Sequence, residues 1–236
     1  MSSQIKKAAI VSAMEIELSY VEEFLRDRKG WKKTQENIYE FENGKLQIII
    51  RIMGVGKVNA AYQTADIINE YHPDFIINVG YAGGLIKEAR KGDVAIGKEY
   101  VQVDFIPFLD ENRPEIAESP NDFIVRLENE AKELEIPTFT GKIATGDFFL
   151  HSTEEKKKII EEFAPIAFDM ESAAVGQVAT KKNTPFIALR TFSDLADDDA
   201  VNAIQDNHKE NRIPMEQRPI VLAITALEKD KRGGNI

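Results

Sequence analysis

Short runs of apolar residues alternate along this chain with longer segments in which apolar residues recur every three or four positions. The short runs predict buried strands, and the periodic segments predict amphipathic helices. The predicted strands cover residues 8–12, 38–41, 46–53, 75–79, 94–96, 100–108, 138–145, 165–168 and 186–192. The predicted helices cover about 15–26, 58–71, 120–134, a segment opening at 152, 171–181 and 219–229. This alternation predicts one α/β domain over residues 1–236, with a central mixed sheet flanked by helices.

Local turn and cap signals fit these elements. Asn43-Gly44 separates two β-rich runs, and this dipeptide favours the tight turn of a hairpin between residues 38–41 and 46–53. Ser119 is followed by a proline, which predicts that Ser119 caps a helix whose first residue is Pro120. Ser152, with a glutamate three residues later, predicts a capping box at the start of another helix.

Composition narrows the classes of partner. The chain has 236 residues, a formal net charge of −10 and a pI near 5.0, which disfavours binding to nucleic acid or to an anionic membrane. It contains no cysteine, so disulfides, thiolate metal sites and a thiol nucleophile are ruled out. His72, His151 and His208 share no metal-ligand spacing, and no metal site is expected. The first apolar run, residues 8–13, is too short for a secretory or membrane segment, so a cytoplasmic protein is expected.

Two acidic residues stand close to the ends of strand-like runs. Glu171 follows the run at 165–168, and Asp194 follows the run at 186–192. A carboxyl group at the mouth of a sheet is partly removed from water, which disfavours its charged form and can keep it protonated near neutral pH. Such an acid suits chemistry that protonates a leaving group. The alternative is that both are ordinary surface carboxylates at strand ends.

Two glycine-containing segments are predicted to be strand-to-helix turns where a ligand binds. Gly54-Val55-Gly56-Lys57 follows one predicted strand, and Gly80-Tyr81-Ala82-Gly83-Gly84 follows another. Glycine lets the backbone approach a ligand closely, and ligands of open α/β sheets bind beyond the carboxyl ends of strands. Asn59 occupies the third glycine position of a dinucleotide-binding motif, which argues against that site. Tight turns without any ligand role are the alternative.

Six motifs in order carry a resemblance to a known superfamily. The motifs are Ala13-Met14-Glu15-Ile16-Glu17, Gly54-Val55-Gly56-Lys57-Val58-Asn59-Ala60-Ala61, Asn78-Val79-Gly80-Tyr81-Ala82-Gly83-Gly84, Thr145-Gly146-Asp147-Phe148-Phe149, Asp169-Met170-Glu171-Ser172-Ala173-Ala174 and Thr191-Phe192-Ser193-Asp194. With these motifs in this order, the chain resembles the nucleoside phosphorylase/nucleosidase superfamily from about residue 7 to residue 197, and within it the 5′-methylthioadenosine/S-adenosylhomocysteine nucleosidases.

The resemblance implies cleavage of a purine N-glycosidic bond and a role for each matching residue. Asp194 would be the general acid that protonates N7 of the departing adenine, and Glu17 would orient and deprotonate the attacking water. The implied substrate-binding residues are Val55, Tyr81, Ala82, Gly83, Phe149, Leu150, Met170 and Glu171. Phe149 would stack on adenine, and Glu171 would bind the ribose hydroxyls. The resemblance implies neither cofactor nor metal, and it implies a homodimer that acts on a small nucleoside.

Missing residues favour hydrolysis over phosphorolysis. The phosphorylases of the superfamily carry an arginine just before the glycine segment that ends the strand, whereas residues 76–80 contain none. Glu15 and Glu17 in the first loop would repel phosphate. Arg51 precedes Gly54 and is the one candidate left for a phosphate ligand.

Three departures from the nucleosidase pattern leave the 5′ substituent of the substrate open. Tyr81 stands where that family usually carries a small hydroxyl residue, residues 101–108 lack a typical histidine, and residues 197–212 differ where the family has a lid. The alternatives are a nucleosidase for another adenosine derivative or a futalosine-type nucleoside, a phosphorylase of different substrate range, and a nucleoside-binding protein with little turnover.

Overall fold

A computed structural model describes residues 4–42, 44–107, 112–198, 200 and 213–232. The strands are β1 (Lys7–Ser12), β2 (Trp31–Gln35), β3 (Ile38–Phe41), β4 (Leu46–Ile52), β5 (Phe75–Gly84), β6 (Val94–Gln102), β7 (Thr138–Thr145), β8 (Ala167–Asp169) and β9 (Phe186–Asp194). The α-helices are α1 (Val21–Arg26), α2 (Lys57–Tyr71), α3 (Asn121–Glu133), α4 (Thr153–Phe163), α5 (Ser172–Lys181) and α6 (Arg218–Arg232). Short 3₁₀ helices span Glu15–Glu17 and Met215–Gln217.

All nine strands belong to one mixed sheet in the order β2-β3-β4-β1-β5-β8-β7-β6-β9. The last strand in this order, β9, also pairs with β5, so that β5, β8, β7, β6 and β9 form a closed ring of five strands. β1 runs parallel to β4 and β5, and β5 runs parallel to β9. The predicted α/β domain with a central mixed sheet is therefore confirmed.

Helices cover both faces of the sheet around β1. Ala8 and Ile10 face a core that includes side chains of α1, α3 and α6. Ala9 and Val11 face a second core that includes side chains of α2 and α5. Since successive side chains of a strand point to opposite faces, a strand covered on both sides must be apolar throughout. This explains the uninterrupted apolar run at residues 8–11.

The hairpin is confirmed, because β3 pairs antiparallel with β4 in a register that joins Ile38 to Ile49 and Phe41 to Leu46. Asn43, on which the turn signal depended, lies outside the described residues. β2 was not predicted. Only Trp31 of its residues is buried, and a strand exposed over four of five positions shows no apolar alternation.

The glycine segment at residues 80–84 was wrongly predicted as a strand-to-helix turn. β5 continues through it to Gly84 and pairs there with β8 and β9. The glycines serve close packing instead: a Cβ atom added at Gly83 would lie 2.7 Å from the Cβ of Ala196. The segment at Gly54-Val55-Gly56-Lys57 does connect a strand to a helix, since β4 ends at Ile52 and α2 begins at Lys57.

Three further boundaries differ from the predictions. The strands predicted at 94–96 and 100–108 are one strand, β6, whose register shifts between Gly97 and Glu99; residues 108–111 lie outside the described residues. The helix predicted at 15–26 is a 3₁₀ turn followed by α1. Ser119 does not cap α3, because its hydroxyl is bonded to the Tyr100 hydroxyl at 2.7 Å and Pro120 is the N-cap residue. The cap at Ser152 is present: its side chain accepts a hydrogen bond from the amide of Glu155.

Among the residues that the structure describes, no helix combines the length and the apolar character needed to span a membrane.

Candidate active site

A cavity of about 870 Å³ opens beyond the ends of β1, β5, β8 and β9. All ten predicted site residues contribute to its wall: Glu17, Val55, Tyr81, Ala82, Gly83, Phe149, Leu150, Met170, Glu171 and Asp194. Sequence reasoning missed several other members of the wall, among them Tyr20, Asp169, Met215, Glu216 and Gln217. The fold thus brings the whole predicted set together at one edge of the sheet, although the role of each residue stays a prediction.

Glu17 is held rigidly at the start of the cavity. The carboxylate is buried, and its Oε2 accepts hydrogen bonds from Ser12 Oγ at 2.5 Å and from the Met14 amide at 2.8 Å. Its Oε1 accepts a hydrogen bond from the Tyr81 amide at 2.9 Å. Because these donors belong to β1, to the loop after it and to β5, the position of Glu17 depends on the pairing of the two strands.

Gly80 makes this close approach possible. Its φ of +153° is unfavourable for residues with a side chain, and a Cβ atom there would lie 2.6 Å from Glu17 Oε1. The same Cβ atom would overlap the guanidinium of Arg190. Glycine is therefore required at this position for β5 to pass between the two charged groups.

A buried ion cluster supports the floor of the cavity. Arg190, on β9, is fully buried, and its Nε lies 2.7 Å from Asp169 Oδ2. Its Nη2 lies 3.6 Å from Glu171 Oε2, and its Nη1 donates a hydrogen bond to the Val79 carbonyl at 3.3 Å. Asp169 also accepts a hydrogen bond from Thr145 Oγ1 at 2.6 Å. The signal that was overlooked is an arginine within an apolar strand, since a buried guanidinium requires a carboxylate partner.

Glu171 is a buried carboxyl group of altered acidity. Only 4% of the residue is exposed, and Oε1 accepts a hydrogen bond from the Gly56 amide at 2.9 Å. Burial raises the pKa of the Glu171 carboxyl to about 7; the Arg190 guanidinium lowers that pKa, and Asp169 raises it. The desolvation expected for a carboxyl group at a strand end therefore holds for Glu171.

Asp194 ends β9 and is also buried, with 2% of the residue exposed. Its Oδ1 accepts a hydrogen bond from the Ala196 amide at 2.7 Å, and its Oδ2 accepts one from Ser193 Oγ at 2.7 Å. Both oxygens are thus oriented by groups within two residues of Asp194, one in β9 and one after it. The carboxyl group faces the cavity, where it can exchange a proton with a bound molecule.

Part of the wall is apolar. Leu150 is buried, whereas 45% of Phe149 and 47% of Val55 are exposed. The Phe149 ring stacks on the His151 ring with the centroids 5.9 Å apart. A flat ring with a free face beside buried carboxyl groups suits a planar heterocycle that must be both stacked and protonated.

Tyr81 forms part of the cavity wall rather than of the core. Its side chain is half-buried, and burial raises the pKa of the phenol to about 12, with smaller contributions from Glu216 and Glu17. The phenol is therefore neutral at physiological pH. Its ring occupies space that a small hydroxyl residue would leave open.

The residues of charged type that line the cavity are all acidic among the residues that the structure describes: Glu17, Glu23, Asp169, Glu171, Asp194 and Glu216. Arg51, the candidate phosphate ligand, forms ion pairs with Asp66 at 3.2 Å and Glu70 at 3.0 Å on α2 and does not line the cavity. The described wall thus offers no cation to an anionic ligand.

Comparisons with known proteins agree with this geometry. Residues 7–228 match the family model described as "Phosphorylase superfamily". The 5′-methylthioadenosine/S-adenosylhomocysteine nucleosidase of Buchnera aphidicola is 35% identical over 210 residues, which cover 85% of this chain and 89% of that protein.

Two solved structures show the same fold over nearly the whole chain. The 5′-methylthioadenosine/S-adenosylhomocysteine nucleosidase of Neisseria meningitidis, in complex with methylthio-immucillin-A, is 30% identical with a TM-score of 0.77, covering 96% of this chain and 100% of that one. The futalosine hydrolase of Helicobacter pylori is 25% identical with a TM-score of 0.80, covering 97% of this chain and 100% of that one. The chain therefore belongs to the phosphorylase superfamily and, within it, to the family of the 5′-methylthioadenosine/S-adenosylhomocysteine nucleosidases.

Proposed function

We propose that this protein hydrolyses the N-glycosidic bond of an adenosine thioether, 5′-methylthioadenosine or S-adenosylhomocysteine, to adenine and a ribose thioether. Support comes above all from one cavity that places three buried carboxyl groups, Glu17, Glu171 and Asp194, beside an apolar wall suited to a purine. The relatives named above include nucleosidases for these compounds. We also propose that the enzyme is cytoplasmic, in keeping with its lack of cysteine.

Asp194 acts as the general acid. Cleavage leaves negative charge on the departing adenine, and protonation at N7 removes that charge. General acid catalysis of this kind typically contributes about 10²–10⁴-fold to the rate. Once the proton has left, the Asp194 carboxylate keeps its hydrogen bonds from Ala196 and Ser193.

Glu171 and Met170 support the sugar. The transition state resembles an oxocarbenium cation, so a carboxylate near the ribose stabilises it electrostatically. Glu171 also accepts hydrogen bonds from the ribose hydroxyls, and the thioether of Met170 packs against the ring. The ionised form of Glu171 is the form that does both.

Glu17 activates the water that attacks the anomeric carbon. Its Oε1 accepts one hydrogen bond, from Tyr81, and a carboxylate oxygen has about two acceptor positions. The remaining position can hold a water molecule and take its proton. The three donors on Glu17 keep the carboxylate from turning away.

The apolar wall binds the base. Phe149 stacks on adenine, and the backbone at Phe149 and Leu150 reads the edge of the base. Val55, Ala82 and Gly83 complete the described wall around the nucleoside.

Hydrolysis, rather than phosphorolysis, follows from the charges of the site. A phosphate nucleophile needs arginines or clustered amides, whereas the described wall carries carboxyl groups. Arg51 is ion-paired with Asp66 and Glu70 of α2 instead. Water is a neutral nucleophile and suffers no such repulsion.

A nucleosidase for a futalosine-type nucleoside is the second candidate. Tyr81 and the polar residues Glu216 and Gln217 line the same cavity, where a 5′ substituent other than methylthio would meet them. The Helicobacter pylori futalosine hydrolase shows that a chain of this fold also hydrolyses that class of compound.

We further propose a homodimer. Exposed apolar side chains collect around the start of α2, with 80% of Val58 and 66% of Tyr62 exposed on one face of the helix. Lys57, the first residue of α2, forms an ion pair with Asp104 at 2.6 Å. Ile106, two residues after Asp104, is 86% exposed. An exposed apolar patch of this kind is typical of an interface between subunits.

Adenine release tests the proposed reaction directly. With 5′-methylthioadenosine in phosphate-free buffer, we expect free adenine by chromatography, and added phosphate should neither accelerate release nor give a phosphorylated sugar. A ribose 1-phosphate derivative would identify a phosphorylase. Saturable binding of the nucleoside without adenine would identify a binding protein.

Substitution of the acid tests its role. Asp194→Asn should lower kcat by about 100-fold or more, because the amide cannot protonate N7, while the thermal transition stays near that of the wild type. Asp122→Asn makes the same chemical change at an exposed position of α3 and should leave kcat unaltered. Activity of Asp194→Asn within about twofold of the wild type would remove Asp194 from the acid role.

The acidity of Glu171 predicts a pH dependence. With a pKa of about 7, Glu171 gains its charge as the pH rises through that value, so kcat/KM should rise over the same range. Glu171→Gln should lower kcat/KM and abolish this limb of the profile. Measurement from about pH 5 to about pH 9 decides the matter, and a wild-type profile that is flat between about pH 6 and 8 would contradict the role of the ionised carboxylate.

Tyr81→Ser tests how the tyrosine restricts the 5′ end. Because the ring lines the cavity, the smaller side chain should raise turnover of 5′-methylthioadenosine with little loss of stability. The matched variant Tyr81→Phe keeps the ring and should show no gain. A stability loss of about 3–5 kcal/mol without a kinetic gain would show instead that the ring packs in the core.

A further inference from the structure

One lysine of α4 points into the protein toward the acid loop. Lys156 is half-buried, whereas its neighbours Lys157 and Lys158 are exposed. Its Nζ donates hydrogen bonds to the Leu195 carbonyl at 2.5 Å and to the Gly84 carbonyl at 3.3 Å. These bonds join α4 to the residue that follows Asp194 and to the end of β5.

The peptide group between Leu195 and Ala196 connects this lysine to Asp194. Its carbonyl accepts a hydrogen bond from Lys156, and its N–H, on Ala196, donates to Asp194 Oδ1 at 2.7 Å. The carbonyl and N–H of a trans peptide point in opposite directions, so one peptide can accept on one side and donate on the other. Lys156, the peptide and the carboxyl group form a hydrogen-bonded chain whose members polarise one another.

The backbone at Ala196 shows that this arrangement is held under constraint. Ala196 has a φ of +49°, in the left-handed region that residues with a side chain rarely occupy. Such a conformation persists only where surrounding contacts impose it, and it is common at functional sites. Here the contacts are the two hydrogen bonds of the peptide and the close packing of Ala196 against Gly83.

Lys156 lies between a burial effect and two acidic neighbours. Burial lowers the pKa of Lys156 below its ordinary value, and the carboxylates of Asp197 and Asp194 offset part of that lowering. Asp198, in the loop after β9, accepts hydrogen bonds from Thr153 at the start of α4. The ammonium of Lys156 therefore lies among acidic residues of the loop that follows β9.

We propose that Lys156 is a positioning residue for the general acid: it polarises the Leu195–Ala196 peptide and, through that peptide, orients the Asp194 carboxyl group. This rests on the proposed function. When the O–H bond of Asp194 breaks and an N–H bond forms on the departing purine, the electron pair stays on Asp194. The hydrogen bond from Ala196, polarised by Lys156, stabilises that negative charge.

Three variants of Lys156 separate the charge from the packing. Lys156→Met removes the ammonium and both hydrogen bonds at nearly the same length. With 5′-methylthioadenosine it should lower kcat about tenfold at the maximum of the pH profile, while KM changes less than about twofold. Lys156→Gln keeps a donor without the charge and should be intermediate. Lys156→Arg keeps a cationic donor and should recover most of kcat. Lys157→Met, an exposed neighbour, is the matched control and should behave as the wild type.

Two readouts distinguish this role from a structural one. On the alkaline side, the pH at which kcat falls to half should be higher in Lys156→Met, because a weaker acid keeps its proton longer. Without substrate, hydrogen exchange at the Ala196 amide should be about tenfold faster in Lys156→Met and unaltered in Lys157→Met.

The outcomes are separable. A lowered melting temperature with an unshifted pH profile and unaltered exchange at Ala196 would overturn the inference, as would kcat of Lys156→Met within about twofold of the wild type. If the wild type released no adenine from 5′-methylthioadenosine, the proposed function would fail, and exchange at Ala196 would still test the inference.

Discussion

The fully buried guanidinium of Arg190 sets the geometry on which the rest of the site depends. A charge without water must be matched by carboxylates, and removing one partner of such a pair typically costs about 3–5 kcal/mol. Asp169 supplies the close contact at 2.7 Å, and Glu171 supplies a second charge at 3.6 Å. Because Asp169 ends β8 and Glu171 caps α5, the ion cluster fixes where β8 ends and where α5 begins. The buried position of Glu171, and with it the raised pKa, follows from this arrangement.

The backbone of β5 imposes a second constraint on the geometry of the site. It pairs with β1 on one side and with β8 and β9 on the other, which closes the ring of five strands. Groups on either side of the strand must approach its backbone closely, and glycine allows this at two positions. Gly80 makes room for Glu17, and Gly83 makes room for Ala196, whose amide is bonded to Asp194. The proposed water-activating base and the proposed acid thus depend on the same strand.

The local pattern of apolar residues was sufficient to predict the strands and helices whose buried positions recur regularly. The apolar run of β1 and the period of α2 and α5 predicted those elements to within about one or two residues. β2 could not be found in this way, since its single buried residue is Trp31 and its place in the sheet comes from pairing with β3. The glycines at 80–84 misled the prediction, because glycine serves close packing within a strand as well as turns.

The candidate site was predicted from motif resemblance more completely than from residue chemistry. All ten residues line one cavity, but Arg190 and Asp169 were missed, because a buried ion pair between β9 and β8 joins positions 21 residues apart whose partnership no local pattern shows. Lys156 belongs to a run of three lysines, residues 156–158, in which the sequence does not distinguish one from the others, and only the fold shows Lys156 turned toward the Leu195 carbonyl.

The acidic residues of the cavity wall explain how the proposed acid, base and sugar-binding groups act together. The proposed reaction develops positive charge on the sugar and negative charge on the base, so a uniformly acidic site favours the first and opposes the second. In the proposed mechanism, a proton from Asp194 cancels the charge on the base. The carboxylate that remains is hydrogen-bonded to the peptide that Lys156 contacts. In this proposal Glu17 and Glu171 face the sugar cation, and their carboxylates supply the negative charge that stabilises it. Carboxylates repel an anionic nucleophile such as phosphate but do not repel neutral water. The acidic cavity therefore favours hydrolysis for the same electrostatic reason that it stabilises a sugar cation.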